Sequence, residues 1–591
     1  MQHPNIKVPL QWSIFQKVKR LVNIGVDEVT RPMVLTEFLK LLRGLDRKNY
    51  GAYRRLKNIV VDYKDFNIKI VHVQGDPHAP PSFVEVTIHR DYLKVLEKAI
   101  SLSRDVTPVE DFVYRALFKL LKRYSRRCGS GNSCYLGVPK PSPCMLRRSG
   151  VELNKVLLLR FFLGLPAKDR RVYGDQAVKL FADRIPRIVK ELMTVLVNSE
   201  KRVLEIAKLY RDQEYVRGYL YKEGLVAFVA DGSILPRESS ISEKPLQKAV
   251  PFRSPKSMRI TIKLPSGKSV SGMGIPLGVV VLTGGGYHGK STLLRAIQRG
   301  VYNHVKGDGR EFVIAREAAV SVMAEDGRII HNVDISSFVE EDPYIGKTSS
   351  FSTLNASGST SMAASLSEAV EMGAELILID EDNSATNMLF KDSIMEKIIP
   401  DDPLKPLSLQ IRSLVEKSNA GIVVISGSSS AFLCRADRVV RMRMFLPEDI
   451  TDYVRKFVGV CEDTVSFSGV RMRVFKGVGG VKRIRSRGMR LRIHYTDGVE
   501  FELDLARNPR IVEEGQVRLI AAILRRLVRE NVHTEMSELV KYIDEELGRR
   551  GFKAFKKPVS PDLTWVRGID VAWVLNRLYR ARFEQVPTRN P

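Results

Sequence analysis

The segment Gly284-Gly285-Gly286-Tyr287-His288-Gly289-Lys290-Ser291 fits the pattern G-x-x-x-x-G-K-[ST] at every fixed position. Each fixed residue has a chemical reason. The glycines let backbone N–H groups turn inward around phosphate oxygens. A helix beginning at the loop adds the positive end of its dipole. Lys290 would reach the β- and γ-phosphates of a nucleotide, and Ser291 would hold Mg²⁺. A second pair of reactive residues is Asp380 and Glu381, at the end of the run AELILIDED (Ala374 to Asp382). Asp380 is placed to hold Mg²⁺ through water, and Glu381 to polarise an attacking water as general base.

Both sets need rigid elements to aim them. The apolar run GVVVL (Gly278 to Leu282) reads as a buried strand entering the glycine loop, and TLLRAIQ (Thr292 to Gln298) as the helix leaving it. LILI (Leu376 to Ile379) reads as a second buried strand. The stretch from about 251 to Pro447 alternates apolar runs with Gly-rich turns, the rhythm of a parallel α/β domain. A proline- and charge-rich stretch, Ile241 to Ser257, reads as a linker before it. The expected division is therefore 1–250, an N-terminal region; 251–455, the phosphate-binding core; and 456–591, a basic C-terminal region. Within the first, Lys57 to Val73 alternates as strands, Phe112 to Arg127 has helical spacing, and Gln176 to Val197 reads as a helix kinked at Pro186. Within the last, Val517 to Asn531 reads as a helix.

A third constellation narrows the class. NASGSTSMAASLSEAV (Asn355 to Val370) resembles a divergent ABC (ATP-binding-cassette) signature, with Ser357, Gly358 and Ser359 in its Ser-Gly-Gly positions. Ser357 precedes Asp380 by 23 residues, the spacing of that class. Ser384 to Asn387 is similar in position to a D-loop, and Ala436 to Val440 to the sequence after the switch region. The resemblance implies an ABC-type ATPase core in which the signature of one protomer completes the ATP site of another, hence a homodimer. Two departures stand out. No glutamine between Lys290 and Ser357 can be placed as a Q-loop, and VDIS (Val333 to Ser336) is the candidate substitute. Gly427 or Ser428 stands where the switch histidine is expected, which implies slow hydrolysis.

The flanking segments make the resemblance closer. VQGDPHAPPS, SGNS, RFFLGLPAKDRR, GLVAFVADGSILPR, GMGIPLG, GVYNHVKGDGRE, AEDGR and IDEDNSATN resemble the predicted ABC-class ATPase family, from about Leu35 to about Arg529. That resemblance implies an α/β cassette core with an α+β N-terminal domain and a small α+β C-terminal domain. It implies a soluble homodimer, ATP and Mg²⁺ as ligands, and a connection with RNA. It assigns Gly284, Gly286, Gly289, Lys290, Ser291 and Thr292 to phosphate and Mg²⁺, Asp380 and Glu381 to metal and base, and Ser357, Gly358 and Ser359 to action in trans. Asp231, Gly232, Ser233, Asp308 and Arg310 lie in loops that either pack on the nucleotide or form structural turns.

Charge and composition bear on the partner. Of 591 residues, 95 are Lys or Arg and 67 are Asp or Glu, a net charge of +28. Solubility, a heat-adapted surface and a polyanionic partner all fit that excess. Nine basic residues and no acid lie between Arg471 and Arg492 (Arg471, Arg473, Lys476, Lys482, Arg483, Arg485, Arg487, Arg490, Arg492), and alternation puts many on one strand face. A second cluster, Arg115, Lys119, Lys122, Arg123, Arg126 and Arg127, has Tyr124 available to stack on a base. Cys128, Cys134 and Cys144 lack paired CxxC spacing, and a disulfide between two of them is open for a heat-adapted protein. With no apolar run of membrane length and no secretory signal, a cytoplasmic protein is expected. The expected function is a nucleotide-gated switch acting on RNA. The alternatives are an ABC-class DNA-repair or chromosome protein, against which the lack of long heptad arms speaks, and a metabolic kinase, against which the signature speaks.

Overall fold

Apolar runs that are buried on both faces fold as parallel strands, because helices then cover each side of the sheet. A computed structural model describes residues 32–88 and 94–586, and its centre is such a sheet. The strands are β1 (Val279–Thr283), β2 (Ala319–Val322), β3 (Leu376–Asp380), β4 (Gly421–Ile425), β5 (Arg438–Arg443) and β6 (Leu446–Asp449). Their order is β2-β3-β4-β1-β5-β6; all pairs are parallel except the β5–β6 hairpin. Side chains alternate strictly between the two faces. Val280, Leu282, Leu378, Val423 and Val440 pack with Leu293, Leu294 and Ile297 of helix α1 (Lys290–Arg299). Val281, Ile377, Ile379, Ile422 and Val424 pack with Met362, Ala363 and Leu366 of helix α2 (Gly358–Glu371).

A four-stranded antiparallel sheet lies beside this core, in the order Arg259–Lys263, Ser269–Pro276, Leu225–Ala230, Val313–Ala315. It draws Leu225–Ala230 from ahead of the proline-rich stretch at 241–257. The N-terminal region is a seven-stranded sheet with helices Thr107–Tyr124 and Ile185–Val197 packed on it. Pro186 sits in the first turn of the second helix, directly after a π-helical turn, Leu180–Arg184. The Ile185 N–H donates to the Leu180 carbonyl across that widened turn.

The C-terminal region has a three-stranded meander, β7 (Val481–Arg487), β8 (Arg490–Tyr495) and β9 (Glu500–Asp504), with helix α3 (Glu514–Glu530) packed on β7. Its apolar residues, among them Phe475, Ile493, Leu524 and Trp573, belong to the same continuous core as helix α2. Disulfides join Cys128 to Cys134 and Cys434 to Cys461; Cys144 is buried and free. Among the described residues no group of three or more His, Cys, Asp or Glu side chains is arranged to hold a metal, and no helix is long and apolar enough to cross a membrane.

Candidate functional site

The end of β1 is the natural place for a phosphate loop, since ligands of parallel sheets bind beyond the carboxyl ends of the strands. Gly284 adopts φ +128°, and a Cβ there would meet the Met442 carbonyl at 2.4 Å, so β5 runs against the loop too closely for any side chain. Gly289, with φ +95°, sits at the N-terminus of α1. Lys290 opens the helix and turns back, its Nζ donating to the carbonyls of Gly284 (2.7 Å) and Gly285 (2.9 Å). Gly285, Gly286 and Tyr287 are exposed, and Ser291 and Thr292 are half-buried in the first turn. A left-handed glycine loop, a helix N-terminus and an ammonium on its rim fit a polyphosphate.

The strand ends of β3 and β4 bring the carboxylates to the same edge. Asp380 caps a short turn, its Oδ1 accepting the Asp382 N–H at 3.3 Å. Glu381 Oε2 accepts the Gly427 N–H at 2.6 Å and the Ser428 N–H at 3.3 Å, and the Ser428 hydroxyl donates to Oε1. A Cβ on Gly427 would lie 3.5 Å from both Cε and Nζ of Lys290. Lys290, Glu381 and the Gly427–Ser428 loop therefore form one cluster. The residues standing where a switch histidine was expected grip the candidate base instead.

Signature residues Ser357, Gly358 and Ser359 lie elsewhere. Ser357 caps α2, its side chain accepting the Thr360 N–H. Ser359 donates to Asn387 Oδ1 at 2.7 Å, and a Cβ on Gly358 would lie 3.0 Å from Asp326 and 3.7 Å from Ala385. The signature thus packs on the expected D-loop and on the segment that follows edge strand β2. That segment, Met323 to Asp326, follows the strand at the edge of the sheet. The candidate VDIS lies at the end of a small hairpin, Ile330–Val333 with Phe351–Thr353.

Three family models match the chain: a P-loop domain of ABC ATPases at residues 199–468, the N-terminal domain of ABC-class ATPases at 35–196, and the MRB1590 C-terminal domain at 484–584. The chain belongs to the ABC-class ATPase family. It is also 29% identical over 337 residues to the uncharacterized protein MJ1628 of Methanocaldococcus jannaschii, a match spanning 55% of this chain and 72% of that protein.

In this ABC-class chain Asp231 pairs with Arg259 and accepts the Ser254 N–H, while the residues that follow Asp231–Ser233 pack on the Asp308–Arg310 loop. Arg237 pairs with Asp308 at 2.8 Å, the Ile234 N–H donates to the Gly309 carbonyl, and Arg310 donates to the Leu235 carbonyl. Burial, with Arg237 beside it, brings the Arg310 guanidinium down to about 9. These contacts give both loops a structural role.

The basic segments resolve unequally. Arg115 is held by Asp111 and by the Ser142 and Cys144 carbonyls, and the Tyr124 hydroxyl donates to Glu191. In the run from Arg471 to Arg492, the fold supplies the acids that the segment lacks. Arg471 pairs with Asp334, Arg473 with Glu371, Lys476 with Glu584, and Arg490 and Arg492 with Glu502. Lys482, Arg483, Arg485 and Arg487 keep no acidic partner among the described residues. Strand β7 and helix α3 flank an open groove of about 800 Å³, to which Arg518, Arg525, Arg529 and Lys556 also contribute. Burial and then Arg525 and Arg518 hold the Lys556 ammonium below its usual range, despite the opposing pull of Asp562. Sequence reasoning missed these four, which are scattered along a helix whose apolar period dominates and in the segment after it.

One further feature escaped the sequence. The β5–β6 hairpin turns through Met444 and Phe445, at φ +47° and +68°. Two-residue hairpin loops of this kind favour Asn-Gly. Left-handed backbone costs a residue with a Cβ ~1–2 kcal/mol. No periodicity rule points to a methionine and a phenylalanine there.

Proposed function

We propose that this chain is a homodimeric ATPase that binds ATP with Mg²⁺ and uses the nucleotide to gate its hold on single-stranded RNA. The observation that carries the reading is the division of the site. Lys290, Asp380 and Glu381 share one sheet edge, while the exposed signature N-terminus packs on Asp326 and Asn387 of its own chain. A second copy would bring its signature to the phosphates.

The loop N–H groups and Lys290 would hold the phosphates, and Ser291 and Asp380 would hold Mg²⁺, which neutralises phosphate charge. Glu381 would accept the proton of the attacking water. Its three donors from Gly427 and Ser428 fix its orientation and occupy the oxygens that must take that proton. Turnover that waits for this loop to yield would be slow, which suits a switch. Ser359 is tied to Asn387, so closure of the dimer would move signature and D-loop together.

RNA enters the reading through Lys482, Arg483, Arg485 and Arg487, through the groove beside them, and through the family resemblance. Base-independent binding to phosphates releases counterions, so the logarithm of the binding constant falls with log salt by roughly 0.7 for each phosphate neutralised on a single strand. Filter binding of single-stranded RNA across a salt series, with and without ATP, tests this. Changing the four residues to alanine should weaken binding for all sequences and flatten the slope by roughly 0.7 for each phosphate left without its cation. An unchanged slope refutes the location. Equal affinity with and without ATP refutes the gating, because a ligand indifferent to two states shifts neither.

A further inference from the structure

We propose that the Met444–Phe445 turn is the platform for the base of the bound nucleotide. The proposal rests on reading Gly284–Ser291 as the cradle for that nucleotide's phosphates.

Placement comes first. The Met444 N–H donates to His288 Nδ1 at 2.9 Å, so the turn is fastened to the middle of the phosphate loop. A Cβ on Gly289 would stand 3.3 Å from the Phe445 ring and 3.8 Å from its Cα. The phosphate loop and the turn are a single packed unit, and a molecule held by the one lies beside the other.

Exposure comes second. Met442, two residues earlier, is buried, yet Met444 is 71% exposed and Phe445 53%. Tyr287, also at positive φ (61°), is fully exposed on the same loop. Large apolar side chains thus line the rim of an anion site, where solvent alone would favour polar residues. The backbone adds a third observation: both turn residues hold a conformation that Asn-Gly would adopt without strain, so their side chains are kept against local preference. Strained residues retained at a site mark what they present, and here that is a ring and a thioether.

The chemistry selects the ligand. A nucleobase is flat, with apolar faces and a polar edge. An aromatic ring takes the face by offset stacking, and a thioether is a soft partner for the same surface. Phosphates in the loop would leave the base to cover Phe445 and Met444.

Calorimetry with ATP and with inorganic tripolyphosphate separates base from phosphate. The parent, Phe445→Ala and the double variant Met444→Asn/Phe445→Gly are compared. Asn-Gly suits the turn, so the double variant should melt at or above the parent's temperature, and weakened binding cannot be put down to misfolding. Its ATP affinity should fall about ten-fold, or ~1.4 kcal/mol, with tripolyphosphate affinity unchanged. ATP binding as tight as in the parent overturns the platform, including where the variant loses nucleotide-dependent dimerisation instead, since the turn is then a subunit contact. Failure of the underlying reading shows separately: Lys290→Ala would then leave both ligands bound as in the parent.

Discussion

Two charged regions of this molecule are built in opposite ways. At the phosphate loop, Lys290 rests only on backbone carbonyls, and Glu381 on the N–H groups and hydroxyl of an exposed loop. Behind helix α2, the charges are sealed. Arg473 grips Glu371 through both its Nε and Nη2 atoms and also bonds the His331 carbonyl and Asn576. Arg577 binds Glu325 and stacks on Trp573 at 3.8 Å, and Arg328 pairs with Glu368. The first region keeps its charges on groups within reach of solvent. The second cannot lose a partner without stranding a buried charge. Charge in this protein is architectural where it is sealed among buried partners, and is left accessible at the phosphate loop.

Breaking the saturated region should have the largest effect. Arg473→Met leaves the Glu371 carboxylate buried and unpaired, and should lower unfolding free energy by ~3–5 kcal/mol. Adding Glu371→Leu should recover most of that loss. Urea denaturation of the three proteins checks it, and a single variant as stable as the parent would erase the contrast. At the open region the expectation reverses. Lys290→Ala should weaken ATP binding by ~100-fold, the worth of charge-assisted bonds to phosphate. The denaturation midpoint should stay where it is, because only loop carbonyls lose a donor. A marked drop in stability would show that the lysine is structural.

Acid sharpens the same distinction more gently. Burial alone would raise the Glu325 carboxyl, but the Arg577 guanidinium overrides it and holds the group down to about 2. Glu513 is likewise held at about 2 by Arg148, against its own burial. Both are depressed relative to the unfolded chain. Their contribution is complete above the ordinary glutamate range and is lost as pH falls from about 4.5 towards 2. Thermal melts across that window should show a falling midpoint, and in Arg577→Met the fall should be shallower. An identical pH profile in that variant would remove Glu325 from the account.

The sequence revealed those parts of the fold in which chemistry is local. Gly284 to Ser291, and Asp380 with Glu381, each lie within one strand–turn unit, so pattern and period located them together. What required distant neighbours did not show. Glu381 meets Gly427 and Ser428 across 46 or more residues. Arg490 and Arg492 look unpaired until β9 places Glu502 opposite, and the Tyr124 hydroxyl has no visible partner until Glu191 arrives on another helix. The turn at Met444 and Phe445 was hidden for a different reason: residue type argues against the conformation it adopts.

Helix α2 carries Ser357 at its exposed tip, while the same continuous core runs from its flank into the C-terminal region that bears the basic groove. Two arginines, Arg473 and Arg577, rivet the joint. Tip and groove are therefore the two arms of one crank. If the tip is drawn toward a second copy, as proposed, the shared core is the direct path by which that pull would reach the groove.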